Sequence, residues 1–104
     1  MIKKFNLFSF GSSGPYKDRL AYDVMISAMG GLMAITGPEA GEPVKVGVAI
    51  TDVSSGLLLQ GAITAALYSR EKTGKGQKIE TSLLEAQVSN YIRKCRNFLR
   101  LLLL

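Results

Sequence analysis

An apolar, β-branched segment, Val44–Ile50, runs straight into a long helical stretch, Val53 to about Glu71, which closes on Lys72-Thr73-Gly74-Lys75-Gly76-Gln77. Thr51 and Asp52 stand at the junction and have the side-chain chemistry of an N-cap. Gly74 suits the left-handed position just past a helix end. The stretch is rich in small residues (Ser54, Ser55, Gly56, Gly61, Ala62, Ala65, Ala66), so this helix can approach another backbone closely. An extended segment feeding such a helix is a unit of layered α/β architecture.

The flanking sequence fits that scheme. Ile2–Phe10 is rich in β-formers and reads as a strand. Gly11–Pro15 is loop by composition. From Tyr22 the apolar residues Met25, Ala28, Met29, Leu32 and Ile35 fall at helical spacing. Gly30 and Gly31 weaken that helix by about 1 kcal/mol each against alanine and mark close packing or a bend. The stripe Met25, Met29, Leu32, Met33 is expected in the core rather than as a ligand box. Gln77–Thr81 alternates like a strand. Ser82-Leu83-Leu84-Glu85 has the pattern of a capping box opening a last helix. The expected order is strand, helix, extended segment, helix, strand, helix, an α/β fold within one small domain.

Composition removes several kinds of chemistry. The chain contains no histidine and one cysteine, Cys95. Histidine-dependent triads, histidine metal sites and an internal disulfide are therefore excluded, and the cysteine usage fits a reducing compartment. The net charge of +5 is scattered, from Lys3 and Lys4 through Arg70–Lys78 to Arg93–Arg100, with no compact stripe, so no nucleic-acid partner is expected. Arg96 and Arg100 break up the apolar C-terminal leucines, and no membrane span is expected there. The chain reads as a soluble intracellular protein with no legible address.

Asp52 is the residue with the most chemical scope. As a plain N-cap it would accept a backbone N–H from residue 54 or 55. As a nucleophile it would use the same place: a helix N-terminus favours the ionised form, and a desolvated carboxylate can attack a thioester. Nearby glycine and serine donors would then face the developing oxyanion. Ser54 and Ser55 lack a base and read as first-turn residues. Thr73-Gly74-Lys75-Gly76 follows a helix rather than a strand, so it is a capped turn and not a phosphate loop. Cys95 lies among arginines that would lower its pKa, against the default reading of a plain surface or core thiol.

The sequence resembles the class III CoA-transferases. The resemblance runs from about Ser9 to Asn90. It is carried by Phe10-Gly11-Ser12-Ser13-Gly14-Pro15, Ala21-Tyr22-Asp23, Met29-Gly30-Gly31-Leu32, Thr36-Gly37, Val46–Asp52 and Lys72–Gln77. It implies that Asp52 carries the acyl group covalently and that Leu20, Ala21, Tyr22, Asp23 and Leu83 contact coenzyme A. It also implies acyl-CoA and free carboxylic acids as substrates, no permanently bound cofactor, and a homodimer. Related racemases use a histidine at the position that Tyr22 holds, which favours transfer over racemisation. Family members are several times longer and include a nucleotide-binding half that is not found here. Ser9 stands where the family usually has glycine, and the segment after Tyr91, with its terminal leucines, departs from the family. Residues 1–91 therefore read as part of a CoA-transferase domain and 92–104 as an unrelated tail. The alternatives are a racemase-like enzyme or a non-catalytic piece that packs with a partner chain. Mitochondrial members place the mitochondrion among the expected compartments.

Overall fold

The structure, a computed structural model, describes residues 4–91. Strand β1 (Lys4–Phe8) and strand β2 (Lys78–Ser82) pair in parallel, from Lys4 opposite Lys78 to Phe8 opposite Ser82. A parallel pair needs a crossover. Here it contains helix α1 (Asp23–Met29), a 3-10 turn (Met33–Ile35) and helix α2 (Ile50–Thr73). A further helix, α3, begins at residue 83 and fills the described residues to 91. The fold is α/β, as the pattern predicts. The tail assigned to 92–104, with Cys95, lies outside the described residues.

Two expectations are met closely. Gly74 ends α2 with φ 69°, and its N–H reaches the Arg70 carbonyl at 2.8 Å, so the turn before Lys75 is a capped helix end. The Ser82 hydroxyl accepts the Glu85 N–H at 3.1 Å and donates to the Glu85 carboxylate at 3.0 Å. That is the capping box, with the glutamate returning to the hydroxyl rather than to the strand backbone. The Leu84 N–H finds the Ser9 carbonyl at 3.2 Å, so two orphan donors of α3 are satisfied.

Three expectations change. Val44–Ile50 forms no strand: α2 begins at Ile50, and the residues before it are irregular. β-branched composition fits a pleated, half-buried surface. This segment meets no strand among the described residues, and Val44 and Val48 stay exposed. The helix from Tyr22 is also shorter, because α1 stops at Met29. Both glycine readings apply there. A Cβ on Gly30 would sit 2.0 Å from Gln87 Nε2, and Gly31 turns the chain with φ +82°. Finally, Met25 and Met29 are exposed, while Ile26 is fully buried, with Ala66, Leu83 and Ala86 around the core.

Much of the remaining interior is polar: Ser27, Thr51, Ser55, Ser82 and Gln87 are all buried. Such groups are tolerated when they bond one another. Thr51 donates to Gln87 Oε1 at 2.9 Å and lies 3.3 Å from the Ser27 hydroxyl, which joins α1, α2 and α3. Gly30→Ala drives a methyl group into the Gln87 amide and breaks this junction. Thermal denaturation is expected to show a loss of about 2 kcal/mol. Gly61→Ala, in open space within α2, is expected to gain up to about 1 kcal/mol. Equal effects would contradict the packing.

At 24 residues, α2 is long and apolar enough to cross a membrane by length and composition. Its first turn is nevertheless tied by polar side chains to α1 and α3, and its last turn carries Arg70 and Lys72.

Candidate active site

The N-cap of α2 is Ala49, whose methyl group cannot accept a hydrogen bond, so the helix starts without a cap of its own. Another helix supplies one. Asp23, in the first turn of α1, turns its carboxylate across to α2, and one oxygen, Oδ2, accepts the N–H of Thr51 at 2.8 Å and of Asp52 at 3.1 Å. These are the second and third helical positions, the donors an N-cap side chain normally satisfies. The expectation that Thr51 or Asp52 is the cap is therefore corrected: both lie within the first turn, and Asp23 does the capping. The Ser27 hydroxyl lies 3.4 Å from the other Asp23 oxygen, Oδ1. Its single proton is shared between that oxygen and the Thr51 hydroxyl.

Asp52 is left free of capping duty, with its side chain exposed on the first turn. The helix N-terminus favours the charged form, yet the net push is upward. Partial desolvation by the surrounding protein raises the Asp52 pKa, and the Asp23 carboxylate raises it further. The expected stabilisation of the ionised group is thus outweighed, and the carboxylate is more basic than a solvent-exposed one.

The serines take structural places. Ser55 is fully buried, and its hydroxyl donates to the Asp52 carbonyl at 2.9 Å, which fixes the backbone of that turn from below. Ser54 lines a cavity of about 290 Å³ between Ile50, Leu32 and Gln87. Gln87 Nε2 and the Tyr91 hydroxyl, both beside this cavity, are buried without partners among the described residues. No group of three or more metal-ligating side chains occurs among those residues.

The residues expected to contact coenzyme A fall in two places. Leu20, Ala21 and Tyr22 form the chain entering α1, with Leu20 92% and Tyr22 64% exposed. Their approach is fixed by Ser9, whose hydroxyl donates to the Ala21 carbonyl at 2.8 Å and accepts the Ala21 N–H at 3.0 Å. The Tyr16 ring, against Phe10 and under Arg19, braces the same loop. Asp23 commits its carboxylate to α2, and Leu83 is buried at the start of α3. Pattern reading passes over Gln87, and it misses the bonds that Ser9 makes to Ala21 and Asp23 makes to α2. Their partners are distant in sequence, and the one local signal was Ser9 standing in a glycine position.

Comparison with known proteins places this arrangement. The family described as CoA-transferase family III matches residues 5–94. Over 94 residues the chain is 47% identical to succinyl-CoA:glutarate CoA-transferase of Mus musculus, covering 90% of this chain and 22% of that protein. It is 42% identical over 88 residues to formyl-CoA:oxalate CoA-transferase of Streptomyces avermitilis, covering 85% and 22%. A crystal structure of a CAIB/BAIF family protein from Brucella suis superposes with a TM-score of 0.84 at 41% identity, covering 92% of this chain and 25% of that one. The chain belongs to CoA-transferase family III. It spans about a quarter or less of the length of the relatives it matches.

Proposed function

We propose that this chain is the nucleophile-bearing segment of a CoA-transferase that moves coenzyme A from an acyl-CoA to a free carboxylic acid. The observation that carries the reading is the exposed Asp52 carboxylate, free of capping duty on the first turn of α2 and raised in basicity, in a chain of this family. An Asp52 oxygen attacks the thioester carbonyl, the C–S bond breaks, and CoA thiolate leaves a mixed anhydride. The thiolate then attacks the Asp52 carboxyl carbon and expels the donor's free acid, leaving an aspartyl-CoA thioester. The acceptor carboxylate reverses the two steps and restores the Asp52 carboxylate. The exposed Leu20–Tyr22 stretch and the start of α3 at Leu83 contact coenzyme A, and the working unit is a homodimer. The 104 residues alone do not turn over.

Succinyl-CoA and glutarate, named in the mouse relative, are suitable test substrates. A segment-exchange protein, with residues 5–94 in place of the matching part of that relative, is expected to transfer CoA, whereas the chain alone is not. A folded, CoA-binding exchange protein without transfer would overturn the reading. Reaction class is tested separately, through Tyr22. In deuterium oxide with a 2-methylacyl-CoA, neither the chain nor the exchange protein is expected to incorporate deuterium at the α-carbon. Rapid incorporation would assign the racemase chemistry instead.

A further inference from the structure

The cap on α2 does more than end a helix. Ordinary caps come from the residue just before the first turn, but here that residue is alanine, and the carboxylate arrives from α1. It binds the N–H of Asp52 itself, along with that of Thr51. From below, Ser55 holds the Asp52 carbonyl. Beside it, Thr51 is buried and fastened to Gln87 of α3. The Asp52 peptide is therefore held at both its N–H and its C=O, and only the side chain is free to reorient.

We propose that Asp23 is a positioning residue for Asp52: it fixes the backbone from which the Asp52 side chain projects and sets a second negative charge beside it. This rests on the carrier role assigned to Asp52 above. The charge has a direction. Partial desolvation and the charge of Asp23 act on Asp52, and among the described residues of α3 the side chain at this junction is the neutral Gln87. A like charge disfavours the ionised form, so Asp52 holds its proton to higher pH and, once ionised, is the stronger nucleophile. One carboxylate links the two effects: the group that orders the turn also adds its charge to the desolvation that makes the free carboxylate more basic.

Two variants of the 104-residue chain separate these effects. Asp23→Ala removes both acceptor and charge. Asp23→Asn keeps an acceptor oxygen and loses the charge. Hydrogen exchange read residue by residue by mass spectrometry is expected to show the Thr51 and Asp52 amides exchanging about 10-fold faster or more in Asp23→Ala, and close to the parent in Asp23→Asn. Esterification of Asp52 by a stabilised diazo reagent, which reacts with the protonated carboxyl, is expected to fall off at lower pH in Asp23→Asn than in the parent. A cap with a structural role alone would leave that midpoint in place. Unchanged amide exchange in a helical Asp23→Ala, or an unmoved midpoint in Asp23→Asn, overturns the proposal. If Asp23→Ala does not fold, Asp23→Asn alone decides. Neither readout needs acyl transfer. An exchange protein that fails to transfer while both shifts are present would remove the carrier role and leave the positioning intact.

Discussion

In the segment-exchange protein, Asp52→Ala is expected to abolish CoA transfer, and Asp52→Asn to reduce it almost as far, by about 10⁴-fold or more. An amide oxygen cannot form the anhydride, so isosteric shape does not rescue the reaction. Hydroxylamine or borohydride added during turnover is expected to label residue 52 in the parent and in neither variant. Loss of activity should not come with loss of the fold. The Asp52 pKa is raised in the folded chain, so the folded state binds that proton more tightly than the unfolded one. The group's contribution to stability is present at low pH and is lost as pH rises from the ordinary carboxylate value through the raised one. Asp52→Asn removes this liability, and denaturation at neutral pH is expected to show a variant at least as stable as the parent. Near-parent turnover in Asp52→Ala would rule out the covalent route.

The chain on its own is expected to associate rather than run as a monomer. The described residues leave much apolar side-chain surface uncovered. Along α2, Val53, Leu57, Leu58 and Tyr68 are each close to half exposed or more, while Thr51, Ser55 and Ala66 are its buried residues. Apolar surface on this scale drives contact with other protein. Size-exclusion chromatography of the purified chain is expected to place it well ahead of an 11.2 kDa monomer, and calorimetry with CoA thioesters to show weak binding or none. A monodisperse monomer that binds coenzyme A in the micromolar range would show a self-sufficient domain.

Local chemistry was legible in the sequence where the determinant and its partner lie within a few residues. Gly74 needs only its own φ and the Arg70 carbonyl, and Ser82 needs only Glu85. The family and the place of Asp52 at a helix start were legible through motif order. Features that depend on which surfaces meet were not. Val44–Ile50 has strand composition but meets no strand among the described residues. Met25 and Met29 keep helical spacing, yet the face carrying Ile26 turns inward. Asp52 looked like the cap because nothing in its neighbourhood signals Asp23, a residue whose partners stand nearly thirty positions away.

The parallel ladder has a consequence in time. Its two strands are separated by 74 residues at Asn6 and Glu80, and Gln87, which fastens Thr51, follows only after the second strand. Closing so long a loop precedes any gain from the ladder. During synthesis β1 therefore waits unpaired while the whole crossover is made. Asp23 and the first turn of α2 can meet early, but Thr51 gains its anchor on α3 only once residue 87 has been added. The surroundings of Asp52 are finished among the last contacts of this segment to form, so a nascent chain carries the carboxylate long before it carries the site.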